Sequence, residues 1–498
     1  MYNPVKAGKN PVNRIIRQLK LLEFQYSTKF RNIGLLLILL ICCILYLSGP
    51  SLKKKQVRLY TTGFSYQMAM HFLYFYYYTG NFPLATLDTL TPSDYSKEGA
   101  KRIIQTRGQN LIMEYRHWSR MGENARIFAF LPDALVEGPE NPKLKLFNSL
   151  VFMASLMIFF IGFYRNGKGL PGLLIVFIVM LTPFYQYAVF REKNIFALLG
   201  SVFLLISGLN ASFIFGKNLK KSGFLVPLAS GIIIAFFTEI RGEILVVIFS
   251  AFLIYLTSKS LRIYHKILLI SVLCISFFSM RMLVRNYFDK KFDKTTQLVI
   301  EKGGHPYNGK RASAHSFWHP VFCGLGDFDT KHGYRWEDTV AYHYALPLLR
   351  QKTGINYKYS GKYHLDAYYD QDSLYYVKFE EIPEYEPIVK EKVLSDIRHD
   401  PFWYQGILLK RILRIFSNSL PFRYCGWLLF PVMVWLFRKK EFQLGWFLIA
   451  SFPLSVTPLL IYSGGNSTFN SIFPIIALAI LLYFIIEKMF LQKIDTVR

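Results

Sequence analysis

Apolar and polar positions fall in long blocks along this chain, not at the short period of a soluble helix or strand. About ten apolar runs, residues 32–48, 147–164, 170–190, 195–215, 224–237, 244–257, 267–283, 422–437, 442–462 and 469–486, are separated by polar segments. A helix rises about 1.5 Å per residue, so about 20 apolar residues cross a hydrocarbon core and about 17 still serve. The pattern predicts an all-α polytopic membrane protein with about ten transmembrane helices. Two polar segments are long: residues 50–146 after the first run and residues 284–419 after the seventh. Ten spans place both long loops on one face and both termini on the other. The fifth and sixth runs are short and divided by Thr238, Glu239, Ile240, Arg241, Gly242 and Glu243. A tight turn is the expected connection, not one long kinked helix, because an Arg and two Glu at the bilayer centre would each be costly.

Composition agrees. Of 498 residues 52% are hydrophobic and only 18% charged, against about 25% charged in a soluble domain. A net charge of +27 would fit nucleic acid if it sat on a separate basic domain, but the bases flank the apolar runs or scatter through the loops. Nucleic acid is therefore not an expected partner, and membrane lipids are. Cys42, Cys43 and Cys274 fall inside apolar runs, which leaves Cys323 and Cys425, and no disulfide framework or cysteine metal spacing follows.

The short loops set an orientation through the positive-inside rule. Arg165, Lys168, Lys217, Lys220, Lys221, Lys259, Arg262, Lys266, Arg438, Lys439 and Lys440 lie on one side, with Arg191, Lys193 and Arg241 on the other. Residues 1–31, a basic segment whose Ile15, Ile16, Leu19, Leu22 and Phe24 resemble an interfacial amphipathic helix, share the first side. Both termini are thus expected in the cytoplasm and both long loops outside, periplasmic or lumenal, although Lys53, Lys54, Lys55 and Arg58 follow the first run directly. The organisation reads as that amphipathic segment, a membrane module over residues 32–283 containing the first outer loop (residues 50–146), a large outer loop (residues 284–419) and a C-terminal three-span region (residues 420–498).

Candidate chemistry sits where polar groups meet the lipid edge. In the first outer loop Asp88 and Asp94 follow an aromatic stretch suited to the headgroup region. Pro92, Ser93 and Asp94 look like a helix start, so Asp94 is read both as an N-cap and as a catalytic carboxylate, two compatible roles. Glu192 and Arg241 lie in short outer turns, where Arg241 either pairs with Glu239 or Glu243 or faces an anion. The second loop carries the densest patch: His315, Trp318, His319, Cys323, Gly324, Gly326, Asp327, Asp329, His332, Arg335, Trp336, Glu337 and Asp338. No HExxH or paired CxxC spacing is present, so a dedicated zinc site is not expected, and the two glycines are too short a signal for a phosphate loop.

The arrangement resembles the GT-C superfamily of integral-membrane glycosyltransferases over most of the chain: a long first outer loop, a second between spans seven and eight, and a variable C-terminal set. Asp94 and Tyr95 followed by Ala100 and Ile103 resemble that family's acidic residue near the interfacial helix of the first outer loop, and Glu192 lies where the second outer loop often supplies another acid. His399, Asp400 and Pro401 leading into Trp403, Tyr404 and Arg411 are similar to the amphipathic helix that often precedes the eighth span. The resemblance implies a glycosyltransferase, inverting, that moves a sugar from a polyprenyl-phosphate donor to a lipid, glycan or protein acceptor at the outer face of a bacterial inner membrane, with the active site facing the periplasm. Asp94, then Asp88, would be the base on the acceptor, Glu192 would orient the acceptor or assist a metal, and Arg241, His315 and His319 would contact the donor phosphate. No cofactor is certain and a divalent metal ion stays open, since the paired acids of metal-dependent members are absent. An O-antigen ligase or polymerase, a non-catalytic assembly subunit and a transporter are the competing readings; the last would show inverted repeats and broken helices, and apart from the break at Glu239–Glu243 neither is seen.

Overall fold

The computed structural model describes residues 27–56, 102, 105, 142–182, 195–216, 221–240, 242–301, 317–328, 330–361, 364–370, 373–418, 422–460 and 472–495. The described part of the first half is helical: α1 Ser27–Gln56, α2 Pro142–Arg165, α3 Gly169–Leu181, α4 Ile195–Leu209, α5 Ala211–Ile214, α6 Leu225–Ile240, α7 Val246–Thr257 and α8 Ile263–Glu301. Then come α9 Trp318–Leu325, α10 Asp338–Thr353, a three-stranded antiparallel sheet of β1 Lys358–Gly361, β2 His364–Asp370 and β3 Ser373–Lys378, α11 Tyr385–His399 and α12 Pro401–Ser417. The chain returns to apolar helices with α13 Leu429–Arg438, α14 Phe442–Ala450, α15 Val456–Leu460 and α16 Ile472–Asp495.

Where the predicted apolar runs are described they are mainly helical, and among the described residues three stretches, Thr28–Leu47, Leu146–Arg165 and Ile263–Leu298, are long and apolar enough to cross a membrane. The other apolar helices are shorter. The protein is thus mainly helical and compatible with a membrane protein; the small sheet is an addition that the apolar pattern did not predict.

Two buried cores divide the molecule. The larger joins α1–α8 to α13–α16. Glycines set its closest contacts: a Cβ on Gly162 would stand 2.2 Å from Gly208 O, and one on Gly208 would stand 2.5 Å from Phe159 Cα, so α2 and α4 touch backbone to backbone. A Cβ on Gly231 would meet Leu273 O at 2.6 Å, and Glu239 accepts from Arg281 Nε at 2.9 Å. Two contacts at nearly equal sequence offset make α6 and α8 parallel neighbours. That bond gives Glu239 a partner on α8, where the sequence had offered Arg241.

The turn between α6 and α7 is decided by a buried polar knot. Asn210, between α4 and α5, donates to Ser230 Oγ at 3.0 Å and accepts from the Tyr255 hydroxyl at 2.7 Å. In one continuous helix Ser230 and Tyr255 would be about 37 Å apart. Meeting on one side chain, they require a hairpin, closed by a 3₁₀ turn over Gly242–Leu245. Their mutual bonds satisfy groups that would each cost about 2–7 kcal/mol if buried unpaired.

Basic short loops gather at one end of this module. Lys168 pairs with Glu441 at 3.1 Å, Lys259 lies 4.3 Å above the Phe442 ring, and Gln443 Nε2 donates to Phe215 O at 3.4 Å. The seventh run does not stop at Leu283 as the polar boundary predicted. Val284, Phe288, Phe292 and Thr295 recur at helical spacing and are buried, so one face keeps packing while the other turns charged, and α8 continues for 39 residues in all, about 58 Å.

The smaller core belongs to residues 318–407, within the second long loop. Val321, Phe322, Leu325, Tyr334, Ala341, Tyr342, Leu349, Leu365, Phe379, Tyr385, Val389, Trp403 and Ile407 form it. In the sheet Lys358 pairs with Asp366, and His364 with Lys378. α12 links the two cores. Asp400 caps it by accepting from Trp403 N at 3.2 Å, Pro401 suits its first turn, Trp403 and Ile407 enter the small core, and Ile415 and Phe416 enter the large one.

A histidine, cysteine and carboxylate cluster in the smaller core

α9 begins with Trp318, His319 and Pro320, and Pro in a first turn costs no helical hydrogen bond. Residues four apart share a helix face, so His319 and Cys323 project together. After α9 the chain passes Gly326, where a Cβ would lie 2.3 Å from Arg335 N and Cα; only a glycine lets this backbone approach occur. That crossing carries the chain to the start of α10, where Asp338 faces the same pair.

The resulting geometry is compact. His319 is 1% exposed. Its Nε2 is 3.1 Å from Asp338 Oδ1 and 3.8 Å from Cys323 Sγ, and Cys323 Sγ is 3.9 Å from Asp338 Oδ1. Its Nδ1 lies 2.6 Å from the Tyr385 hydroxyl. Tyr342 stacks on the imidazole at 5.0 Å with planes 15° apart, and its hydroxyl donates to Glu380 Oε1 at 2.8 Å, itself 4.0 Å from Nε2. An ionised Asp338 can only accept, so Nε2 carries the proton and Nδ1 accepts from Tyr385. Two aromatic rings and two polar partners therefore fix ring, tautomer and carboxylate before any ligand arrives.

A second polar feature lies at the seam between the cores. Arg411 is 1% exposed; its Nη1 donates to Leu459 O and Leu460 O at 2.9 Å and its Nη2 to Gly324 O at 2.7 Å. Those carbonyls end α15 and α9, the negative poles of two helices. Burial pulls the guanidinium below its usual value, and the Asp327 carboxylate opposes that pull. Asp327 itself accepts from Arg414 Nη1 at 2.6 Å, while Arg414 covers the Phe328 ring at 4.1 Å.

Of the residues given a catalytic or phosphate-binding role from sequence, His319 is described, while Asp88, Asp94, Glu192, Arg241 and His315 lie outside the described residues. Both ring nitrogens of His319 are already bonded inside the domain, so a phosphate would reach it only by displacing Asp338 or Tyr385. The partners Tyr342, Glu380 and Tyr385 were not picked out by motif. The His-x-x-x-Cys spacing on an apolar eight-residue helix was the available signal for Cys323, but Asp338, Glu380 and Tyr385 come together only through the fold. No protein-family model, curated protein or solved structure matches the chain.

Proposed function

We propose that this protein is a membrane-embedded glycosyltransferase that moves a sugar from a polyprenyl-phosphate donor to an acceptor at the outer face of the membrane, with both termini cytoplasmic. The observation that carries the reading is the seam at α12: one amphipathic helix rooted in an apolar helical module and in a separately cored polar domain, with Lys410 in its second half beside Arg411 and Arg414, which are themselves held by Leu459 O, Leu460 O, Gly324 O and Asp327. A lipid-linked donor keeps its tail in the bilayer, so its phosphate must be met at such a boundary, where cations offset the charge that develops on the leaving group. The gathering of basic short loops at one end of the module supports the orientation. In this reading Asp94, with Asp88 behind it, is the base on the acceptor, Glu192 orients the acceptor, and Arg241 and His315 hold the donor phosphate.

Two measurements on the purified chain test it. Mass spectrometry of co-purifying lipid is expected to find polyprenyl phosphate, and Asp94→Asn is expected to lower sugar transfer by about 10²- to 10⁴-fold while donor binding persists. Asn is itself a good cap, so a merely structural Asp94 would leave activity intact. Full turnover in both Asp94→Asn and Asp88→Asn would remove the first-loop carboxylates from the mechanism.

A further inference from the structure

We propose that His319, Cys323 and Asp338 bind one divalent metal ion of borderline softness, of the zinc class, in the smaller core. This does not rest on the transferase reading. Among the described residues these three are the group whose side chains converge as metal ligands. Their ligand atoms, 3.1, 3.8 and 3.9 Å apart, circumscribe a point about 2.1 Å from each, within the range of about 2.0–2.3 Å for zinc bound to imidazole, carboxylate and thiolate.

The donor set has its own chemical logic. One nitrogen, one sulfur and one oxygen suit an ion between hard and soft, whereas magnesium and calcium would demand oxygen ligands throughout. His319 and Cys323 are buried on one helix face, and Asp338, whose side chain is 36% exposed, leaves the path by which an ion enters. The surroundings act as a metal's outer partners do. Tyr385 stands on the far nitrogen of the imidazole, Tyr342 clamps the ring face, and Glu380 lies outside the three ligands but close enough to bond a water on a fourth position.

Metal uptake reorders protons in a defined way. The Cys323 thiol releases its proton to solvent as the sulfur becomes a thiolate ligand. The His319 proton moves from Nε2 to Nδ1, freeing the Nε2 lone pair for the ion, and Nδ1–H then donates to the Tyr385 oxygen. The same side chains without metal remain a Tyr385, His319 and Asp338 hydrogen-bond chain beside a protonated thiol, and the two states are separable by experiment.

The test uses the full chain in detergent, incubated with zinc and then dialysed, with metal measured by plasma mass spectrometry and cobalt as the optical probe. A stoichiometric zinc ion is expected, and cobalt loading is expected to give a thiolate-to-metal charge-transfer band. Cys323→Ser and Asp338→Asn should each lower metal affinity about tenfold or more, with the cobalt band lost in Cys323→Ser, while Cys425→Ser keeps both metal and band. Because a substitution here could disturb folding, a second reading uses the unaltered protein: hydrogen exchange in peptides covering α9 and the start of α10 should slow with zinc and return with a chelator. Substoichiometric zinc after loading together with no charge-transfer band, or zinc retained equally by Cys323→Ser and Asp338→Asn, overturns the proposal.

Discussion

Replacing Arg411 by Met keeps an unbranched apolar stem and removes the guanidinium donors that join the two cores at the seam. Three carbonyls, those of Leu459 and Leu460 part-buried and that of Gly324 buried, then lose a charged partner, each such bond being worth about 1.5–3 kcal/mol. The full sum does not appear, because keeping a cation out of water costs several kcal/mol and that cost vanishes with the charge. A net loss of about 2–4 kcal/mol is expected, or about a 30- to 700-fold rise in local opening. The loss should be local. Hydrogen exchange on the purified protein should quicken in peptides covering α9, α12 and α15, whose ends Arg411 ties together, and stay unchanged in the glycine-packed α2 and α4. Arg411→Lys keeps the charge but gathers its donors on one nitrogen in place of a fork, so it cannot reproduce the two-nitrogen reach to both helices and should fall between wild type and Arg411→Met. Exchange in Arg411→Met within about threefold of wild type in all three peptides would refute the reasoning that Arg411 holds the domain to the module.

Gly208→Ala should destabilise by about 1–3 kcal/mol, seen as a lower apparent melting temperature in detergent, because the added carbon has no room against Phe159. Gly406→Ala, in open space on α12, should be neutral or stabilising by up to about 1 kcal/mol in the same assay. Tyr255→Phe leaves Asn210 Oδ1 without its hydroxyl donor and should cost about 1–2 kcal/mol, read in the same way. The Asp400 carboxyl is held below its usual range by its bond from Lys331 and by the Trp403 N–H. A depressed value in the fold means that its contribution is complete above the unfolded value, about pH 4, and is lost as pH falls through the lower folded value. Melting temperature followed from pH 7 downward should therefore hold and then drop below about pH 4, and Asp400→Asn, which keeps the cap, should flatten that step.

The apolar blocks made the helices legible because burial in a large helical module requires little more than apolar length. The α6–α7 turn was legible for the same reason, since the charges of Glu239 and Glu243 cannot sit in mid-helix at depth. Polar segments were harder, because their structure comes from partners far away in the chain. The C-terminal half of α8 was hidden by its charged face, with Val284, Phe288 and Phe292 diluted among Lys and Asp. The sheet was hidden by aromatic crowding around Tyr368, Tyr369, Tyr375 and Tyr376, although the polar Asp370, Gln371, Asp372 and Ser373 between the two pairs are a hairpin signal. The cluster around His319 was half visible: His319 and Cys323 share a helix face by spacing, whereas Asp338 reaches them only because Gly326 lets two backbones touch. No spacing rule contains that approach.

The continuity of α12 bears on how the two cores can work together. A loop between domain and module would let one tilt freely on the other, but Trp403 and Ile407 are fixed in one core and Ile415 and Phe416 in the other by the same rigid rod. Any tilt must bend the helix or repack a core, and Arg411 adds bonds to both sides of the seam. The position where the helix yields most readily is then expected at Gly406, one residue before the last contact with the small core, where a missing side chain lowers helix preference and an added Cβ would meet nothing within 4 Å. If the seam receives a lipid-linked phosphate, the helix fixes the spacing of the two cores that flank that group, and closing around an acceptor draws on the small freedom left at Gly406. Gly406→Ala would then slow turnover while raising stability, a pairing that a passive scaffold has no reason to show.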